Sequence, residues 1–311
     1  MELYELPSAM EPMIPTDQKG ILTERAVELI RKSAALSSLL HPITRGAVSQ
    51  IIKPMNSYYS NLIEGHNTHP IDIERAMNHD YSQDPGKRIL QLESKAHIEV
   101  QEKIEKIFKE DVTVHICSID FLCWIHKEFY AELPVDLRFV KTKEGKLSEV
   151  FPGELRTTEV EVGKHIGTAS KSLHLFLERF EHAYRPDKIT NATNRIIAAA
   201  ASHHRLAWIH PFLDGNGRVM RLFTHAYMMK EQLDSDGLWS ISRGLSKRQK
   251  EYRAALHNAD LQRNNNYDGR GNLSNSRLEE FCLFFLDTAI DQVEFMQQLL
   301  DLDKIQLRIK R

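Results

Sequence analysis

Twelve consecutive residues hold most of the chemistry legible in this chain: His210-Pro211-Phe212-Leu213-Asp214-Gly215-Asn216-Gly217-Arg218-Val219-Met220-Arg221. Gly215 and Gly217 flank an asparagine just before a helical pattern, so backbone N–H groups can converge there and the helix dipole favours negative charge. Together with Asn216 they predict an anion cradle. Asp214 at its entrance is the hard oxygen ligand that Mg2+ takes when it also binds phosphates. Arg218 and Arg221, three positions apart, lie on one helix face and can clamp two further phosphate oxygens. His210 offers a side chain whose unperturbed pKa suits proton abstraction near neutrality. The set suits a nucleoside triphosphate. An ordinary surface turn does not call for a base, an acidic ligand, small loop residues and two cations within so short a stretch. A calcium loop is excluded, because counting from Asp214 puts His225 rather than glutamate at the twelfth position.

The elements that must position this loop are helical. From Thr23, with Thr23 as N-cap and Glu24 in the first turn, Ala26, Leu29, Ser33, Leu36 and Leu40 recur at helical spacing as far as Pro42. A second helix is predicted over 44–64, perturbed at Pro54, with Gly65 as its left-handed C-cap. Further helices are predicted at 71–80, 86–109, 118–132, 170–184, 190–208, 246–260 and 276–300, one more follows Gly217, and Ser276 with Glu279 forms a capping box. Residues 139–163 differ: the alternation Thr157-Thr158-Glu159-Val160-Glu161-Val162-Gly163 predicts a β-hairpin. The first twenty residues, with Pro7, Pro12 and Pro15, read as an extended arm on the surface or a disordered one. The chain is therefore expected to be all-α with one small β-hairpin flap and no repeat architecture.

Composition narrows the function classes. With 41 Lys+Arg against 43 Asp+Glu over 311 residues, the formal charge of −2 leaves no global positive field for nucleic acid or an anionic membrane. Cys117, Cys123 and Cys282 form no C-x-x-C pair, so neither a disulfide framework nor a cysteine-rich zinc site is encoded. The N-terminus lacks the pattern of a signal peptide and no apolar run is long enough to span a bilayer, so a cytoplasmic location is expected.

The twelve-residue loop resembles the signature of the Fic (Fido) family, H-P-F-x-D-G-N-G-R-x-x-R, at every specified position. The resemblance implies a Fic/Fido helical bundle that binds Mg-ATP and transfers AMP to a Ser, Thr or Tyr hydroxyl of a protein, which could be the chain itself. It assigns His210 as the base, Asp214 as the ligand of the metal on the phosphates, Gly215, Asn216 and Gly217 as the anion hole, and Arg218 and Arg221 as phosphate contacts. Relatives that phosphorylate carry lysine at the second glycine, so Gly217 points to AMP transfer. Residues 156–166 resemble the family's flap, which places Val162, Gly163, Lys164 and His165 beside the nucleotide and offers a strand edge to the target backbone. Trp239 to Gly244 and Glu251-Tyr252 resemble the downstream region that covers the adenine, with Tyr252 near the base. His203-His204 read as packing residues, and Asp268 to Asn272 as a turn.

Ser60-Asn61-Leu62-Ile63-Glu64-Gly65 resembles the family's inhibitory motif, [ST]-x-x-x-E-[GN]. Ser60 and Glu64 are i,i+4 and share a helix face. The resemblance implies that Glu64 pairs with Arg221 and denies it to the γ-phosphate, in a subclass inhibited by an N-terminal helix. It divides the chain into an N-terminal helical extension over 1–85, a catalytic core with flanking helices over 86–300, and a basic tail over 301–311. Many relatives dimerise, so a homodimer is compatible with the resemblance. Two other readings share the residues: removal of AMP by the same site, and a non-catalytic ATP-sensing regulator.

Overall fold

The computed structural model describes residues 4–111, 113–141, 145–162 and 165–301. Its centre is a helix without an amphipathic stripe, Ala192–Ile209. Thirteen of that helix's residues are buried, among them the run Ala198 to Ala201. Burial on all sides requires a helix with no polar face, and small side chains let neighbouring helices approach closely. In chain order the helices are α1 (Ile21–Ser38), α2 (Pro42–Ile63), α3 (Pro70–Met77), α4 (Pro85–Glu110), α5 (Ile119–Ala131), α6 (Leu173–Tyr184), α7 (Ala192–Ile209), α8 (Asn216–Lys230), α9 (Ile241–Lys247), α10 (Gln249–Ala259) and α11 (Asn275–Leu300). The central α7 packs against α1, α6, α8 and α11, while α2 lies across α4 and α9. The loop from His210 to Gly215 joins α7 to α8 and thus emerges from the most buried part of the molecule.

Among the described residues the β structure is two hairpins, where the sequence predicted one. β1 (Phe139–Lys141) pairs antiparallel with β2 (Leu147–Glu149), and β3 (Glu161–Val162) with β4 (His165–Ile166). The strand expected from Thr157 begins only at Glu161, because Arg156 draws the preceding segment into the protein through bonds to Thr158 O and His210 O. Gly163 and Lys164, expected beside the nucleotide, lie outside the described residues, as does the basic tail after Asp301.

Local chemistry corrects several boundaries. Thr23 does not cap α1: Gly20 occupies the cap position, and the Asp17 carboxylate accepts from the Leu22 and Thr23 N–H groups at 3.1 and 2.8 Å. Ser274, not Ser276, caps α11 by accepting from Arg277 N. The helix expected over 246–260 is two, α9 and α10, broken at Arg248. From Tyr4 onward the N-terminal arm is neither superficial nor disordered. Met10 and Met13 are buried in the core, Arg205 donates to Pro12 O at 2.8 Å, and Tyr4 packs on Trp208 with ring centroids 4.9 Å apart. Buried apolar plugs and buried guanidinium donors hold the arm where periodicity gives no signal. Among the described residues no helix is long and apolar enough to cross a membrane.

Candidate active site

The loop after α7 is folded by its own side chains. His210 closes α7 in the left-handed region at φ 52°, and Gly215 opens α8 at φ 75°. A β-carbon at Gly215 would stand 2.8 Å from the Tyr130 ring, so glycine is required there by space as well as by backbone angle. The Asn216 side chain turns back into the loop: Oδ1 accepts from Phe212 N at 2.9 Å and Nδ2 donates to Phe212 O at 2.7 Å. Asn216 thus builds the cradle with its side chain and can offer an anion only its backbone N–H at the start of α8.

His210 is held from two sides. Its Nδ1 lies 3.3 Å from Ala207 O, and only a protonated Nδ1 can donate there, which leaves Nε2 with a free lone pair. Arg156 donates to His210 O at 2.8 Å and fixes the backbone. Burial, helped by the neighbouring His165 and Arg156 side chains, pushes the imidazole down to about 4, so it is neutral near pH 7. Asp214 is ionised: burial would raise its pKa, but Arg218, the Tyr130 hydroxyl and Gly215 N–H together hold it below the usual carboxylate range. Tyr130 donates to Asp214 Oδ2 at 2.5 Å, and Arg218 Nη2 lies 3.5 Å from the same oxygen.

The two motif arginines diverge. Arg221 lines a cavity of about 560 Å³ together with Glu64, His165, His210, Gly217 and Tyr252. Its Nη2 donates to Glu64 Oε1 at 2.6 Å and its Nε to Ser60 Oγ at 2.8 Å, so Ser60 and Glu64 meet Arg221 from one face of α2. Burial opposes ionisation of Glu64, and the Arg221 and Arg218 charges outweigh it, leaving its pKa below normal. Arg218 instead turns away from the cavity lining toward Asp214 and Glu93, with Nη1 3.0 Å from Glu93 Oε1 and its guanidinium over the Phe129 ring. Sequence spacing put both arginines on one face; it carried no signal for Glu93, four helices earlier in the chain.

Tyr252 reaches the cavity wall through a buried relay. Its hydroxyl lies 2.7 Å from His203 Nε2, His203 Nδ1 lies 2.7 Å from Thr224 Oγ1, and Thr224 donates to Met220 O. Because the threonine proton is committed to Met220, His203 must donate through Nδ1 and accept the tyrosine proton at Nε2. His203 is therefore a packing and positioning residue, and His204 likewise holds Asp260, at 3.0 Å, on the cavity wall. His165 from β4 lines the cavity with Nε2 on Trp208 O at 2.8 Å, and Val162 lies in β3.

A group of three or more acidic, histidine or cysteine side chains able to hold a metal alone is absent among the described residues. The lone ionised Asp214 fits the alternative in which a hard cation arrives with phosphates and takes one carboxylate from the protein.

Residues 116–228 match the Fic/DOC family. A curated relative from Nematostella vectensis, named protein adenylyltransferase Fic, is 30% identical over 177 residues, spanning 56% of this chain and 36% of its own length. One of the same name from Drosophila grimshawi is 37% identical over 86 residues, 28% of this chain and 18% of its own. The chain thus spans about a third or less of these relatives. Among solved structures, a Fic family protein from Desulfovibrio desulfuricans G20 superposes with a TM-score of 0.66 at 16% identity, over 90% of this chain and 75% of that one. Fic-1 of C. elegans superposes at 0.65 and 16% identity, over 91% and 74%. These likenesses establish the fold.

Proposed function

Because residues 116–228 carry a Fic/DOC-family domain, we propose that this chain is a self-inhibited protein adenylyltransferase, moving AMP from ATP to a Ser, Thr or Tyr hydroxyl of a protein and releasing pyrophosphate. The observation that carries the reading is a neutral His210 with a free Nε2 in the same cavity as the Gly217 cradle and Arg221. The names of the curated relatives support the same activity.

In the proposed reaction His210 Nε2 takes the proton of the target hydroxyl as its oxygen attacks the α-phosphorus. The new P–O bond forms while the bond to pyrophosphate breaks. The N–H groups at the start of α8 and the Arg221 guanidinium stabilise the developing charge on the phosphate oxygens. Asp214 would hold Mg2+, which neutralises phosphate charge and orients the leaving group. Tyr252 and the wall around Asp260 bound the nucleoside end of the cavity.

Glu64 is the proposed inhibitor. It neutralises Arg221 and fills the space above Gly217, so a triphosphate meets a carboxylate where it needs a cation. On this reading residues 1–85 supply the inhibitory helix and 86–300 the catalytic core. The test is incubation of wild type, Glu64→Gly and Glu64→Gly/His210→Ala with Mg-ATP labelled at the α-phosphate, alone and with lysate. Label on protein with Glu64→Gly that vanishes in the double variant supports transfer, base and inhibition together. Absence of label in every sample that demonstrably binds ATP overturns the reading.

A further inference from the structure

The face that α2 turns toward the body of the protein is mostly polar. Its buried residues are Ser49, Lys53, Asn56, Ser57, Ser60, Asn61 and a single large apolar one, Ile63. Asn56 donates to Gln101 Oε1 at 2.6 Å, Ser57 to Ser94 O at 2.9 Å and Asn61 to Ser94 Oγ at 3.1 Å. Ile43 and Ile51 of the same helix point outward, 79% and 69% exposed. A helix docked this way gains little from apolar burial, and each hydrogen bond to the body replaces one to water at a net gain of only about 1 kcal/mol. How firmly its last turn is held, and with it Glu64, therefore depends on the contacts at its end.

That end is rigid. Gly65 takes φ 91°, its N–H bonds to Leu62 O at 3.1 Å, and His66 N bonds to Asn61 O at 2.9 Å, the paired bonds of a Schellman cap. Gln249 and Arg253 of α10 donate to Ile63 O at 2.8 and 2.9 Å. Beyond the cap, His66 Nδ1 lies 2.5 Å from Glu93 Oε2 on α4, and Glu93 passes its other oxygen to Arg218 of α8. The groups facing His66 are thus Glu93 from α4, Glu64 at the end of α2 and Arg218 from α8. The His66–Glu93 bond becomes charge-assisted when the imidazole is protonated, which places it among the stronger kinds. His66 follows Glu64 by two positions within a hydrogen-bonded cap, so the two move together.

We propose that His66 is a positioning residue that fastens the end of α2 to Glu93 and thereby keeps Glu64 on Arg221. The proposal rests on the reading of Glu64 as inhibitor. Glu93 raises the His66 pKa above its ordinary 6.5. The sign follows: fastening is complete below 6.5 and weakens as pH rises through the raised value, so inhibition relaxes on the alkaline side.

The experiment follows labelled AMP transfer by wild type, His66→Ala, His66→Asn, Glu64→Gly and Glu64→Gly/His66→Ala from about pH 6 to about pH 8.5, each rate divided by that of Glu64→Gly at the same pH. Amide hydrogen exchange of residues 57–66 is read on the same proteins. His66→Ala should raise transfer roughly fivefold and speed exchange. His66→Asn, whose amide can donate where Nδ1 does, should restore both toward wild type and flatten the pH dependence. In the Glu64→Gly background His66→Ala should add nothing. Unchanged transfer and exchange in His66→Ala, with Glu64→Gly active, overturns the proposal and leaves the adenylyltransferase reading standing; so does an equal gain from His66→Ala with and without Glu64. If no variant transfers AMP, the functional reading fails and exchange alone decides: faster exchange in His66→Ala that asparagine reverses supports the fastening, and unchanged exchange overturns it.

Discussion

The Glu64 carboxylate occupies the space that any side chain at Gly217 would need: a β-carbon there would overlap Glu64 Oε1 and stand 3.1 Å from Arg221 Nη1. What crowds this position is the end of the Glu64 side chain reaching over from α2, not the backbone angle. The same space is where the N–H groups at the start of α8 would receive a phosphate.

Gly217→Ala should therefore expel Glu64 without activating the protein. In the Glu64→Gly background it should lower Mg-ATP affinity and AMP transfer by roughly tenfold or more. Calorimetric titration with ATP and label transfer measure the two effects. Full activity of the double variant would separate the seat of Glu64 from the seat of the phosphate.

His210→Ala, placed in the Glu64→Gly protein, should reduce transfer by about 10²–10⁴-fold while ATP binding stays close to that of its parent. With burial holding His210 at about 4, kcat/KM for the parent should show no acid limb at the ordinary imidazole value of 6.5. A limb there that disappears with His210→Ala would show the imidazole to be far less desolvated than its surroundings imply.

Tyr130→Phe removes only the hydroxyl that donates to Asp214 Oδ2 and keeps the ring that packs beneath Gly215. The fold should survive, and transfer by the Glu64→Gly protein should fall roughly tenfold, with a higher Mg2+ requirement, because Asp214 loses a bond that orients it. A magnesium titration of the rate checks this; an unchanged midpoint would leave Tyr130 a packing residue.

Acid should destabilise the protein through histidines that have no catalytic duty as well as through His210. Burial, the largest cause at each, holds His126, His210 and His225 at about 4. The unfolded chain binds protons at these positions below about 6.5 while the folded protein does not, so stability falls as pH drops from there toward about 4, by up to about 1.4 kcal/mol per pH unit for each group. Thermal unfolding at a series of pH values should show a falling Tm below neutrality, and His225→Gln should flatten the slope. A Tm independent of pH over that window would contradict neutral burial.

Periodicity made the bounds of α4 legible to within a residue, since Ala96, Val100 and Ile104 recur at helical spacing, but it gave no sign that Gln91, Glu93, Ser94, His97 and Gln101 are buried as well. The left-handed Gly65 was equally legible, because a cap depends on the few residues around it. The α1 and α11 caps were misplaced by two or three positions because several nearby polar side chains compete for one set of N–H groups, and only the packed chain selects Asp17 and Ser274. The buried N-terminal arm left no periodic trace, as its anchors come from Arg205 and Tyr184, far along the chain.

By itself the sequence determined the loop from His210 to Arg221 and the i,i+4 pair Ser60 and Glu64, because both depend on residue type and short spacing, which backbone geometry converts directly into a turn and a helix face. The Arg221–Glu64 pair was implied by the resemblance, whereas tertiary structure alone decided that Arg218 leaves the cavity lining for Glu93 and Asp214. Helical spacing gives a side chain a direction, but its partner is set by which distant carboxylate the packing of α2 and α4 brings within reach, and a buried charge settles where it is best neutralised.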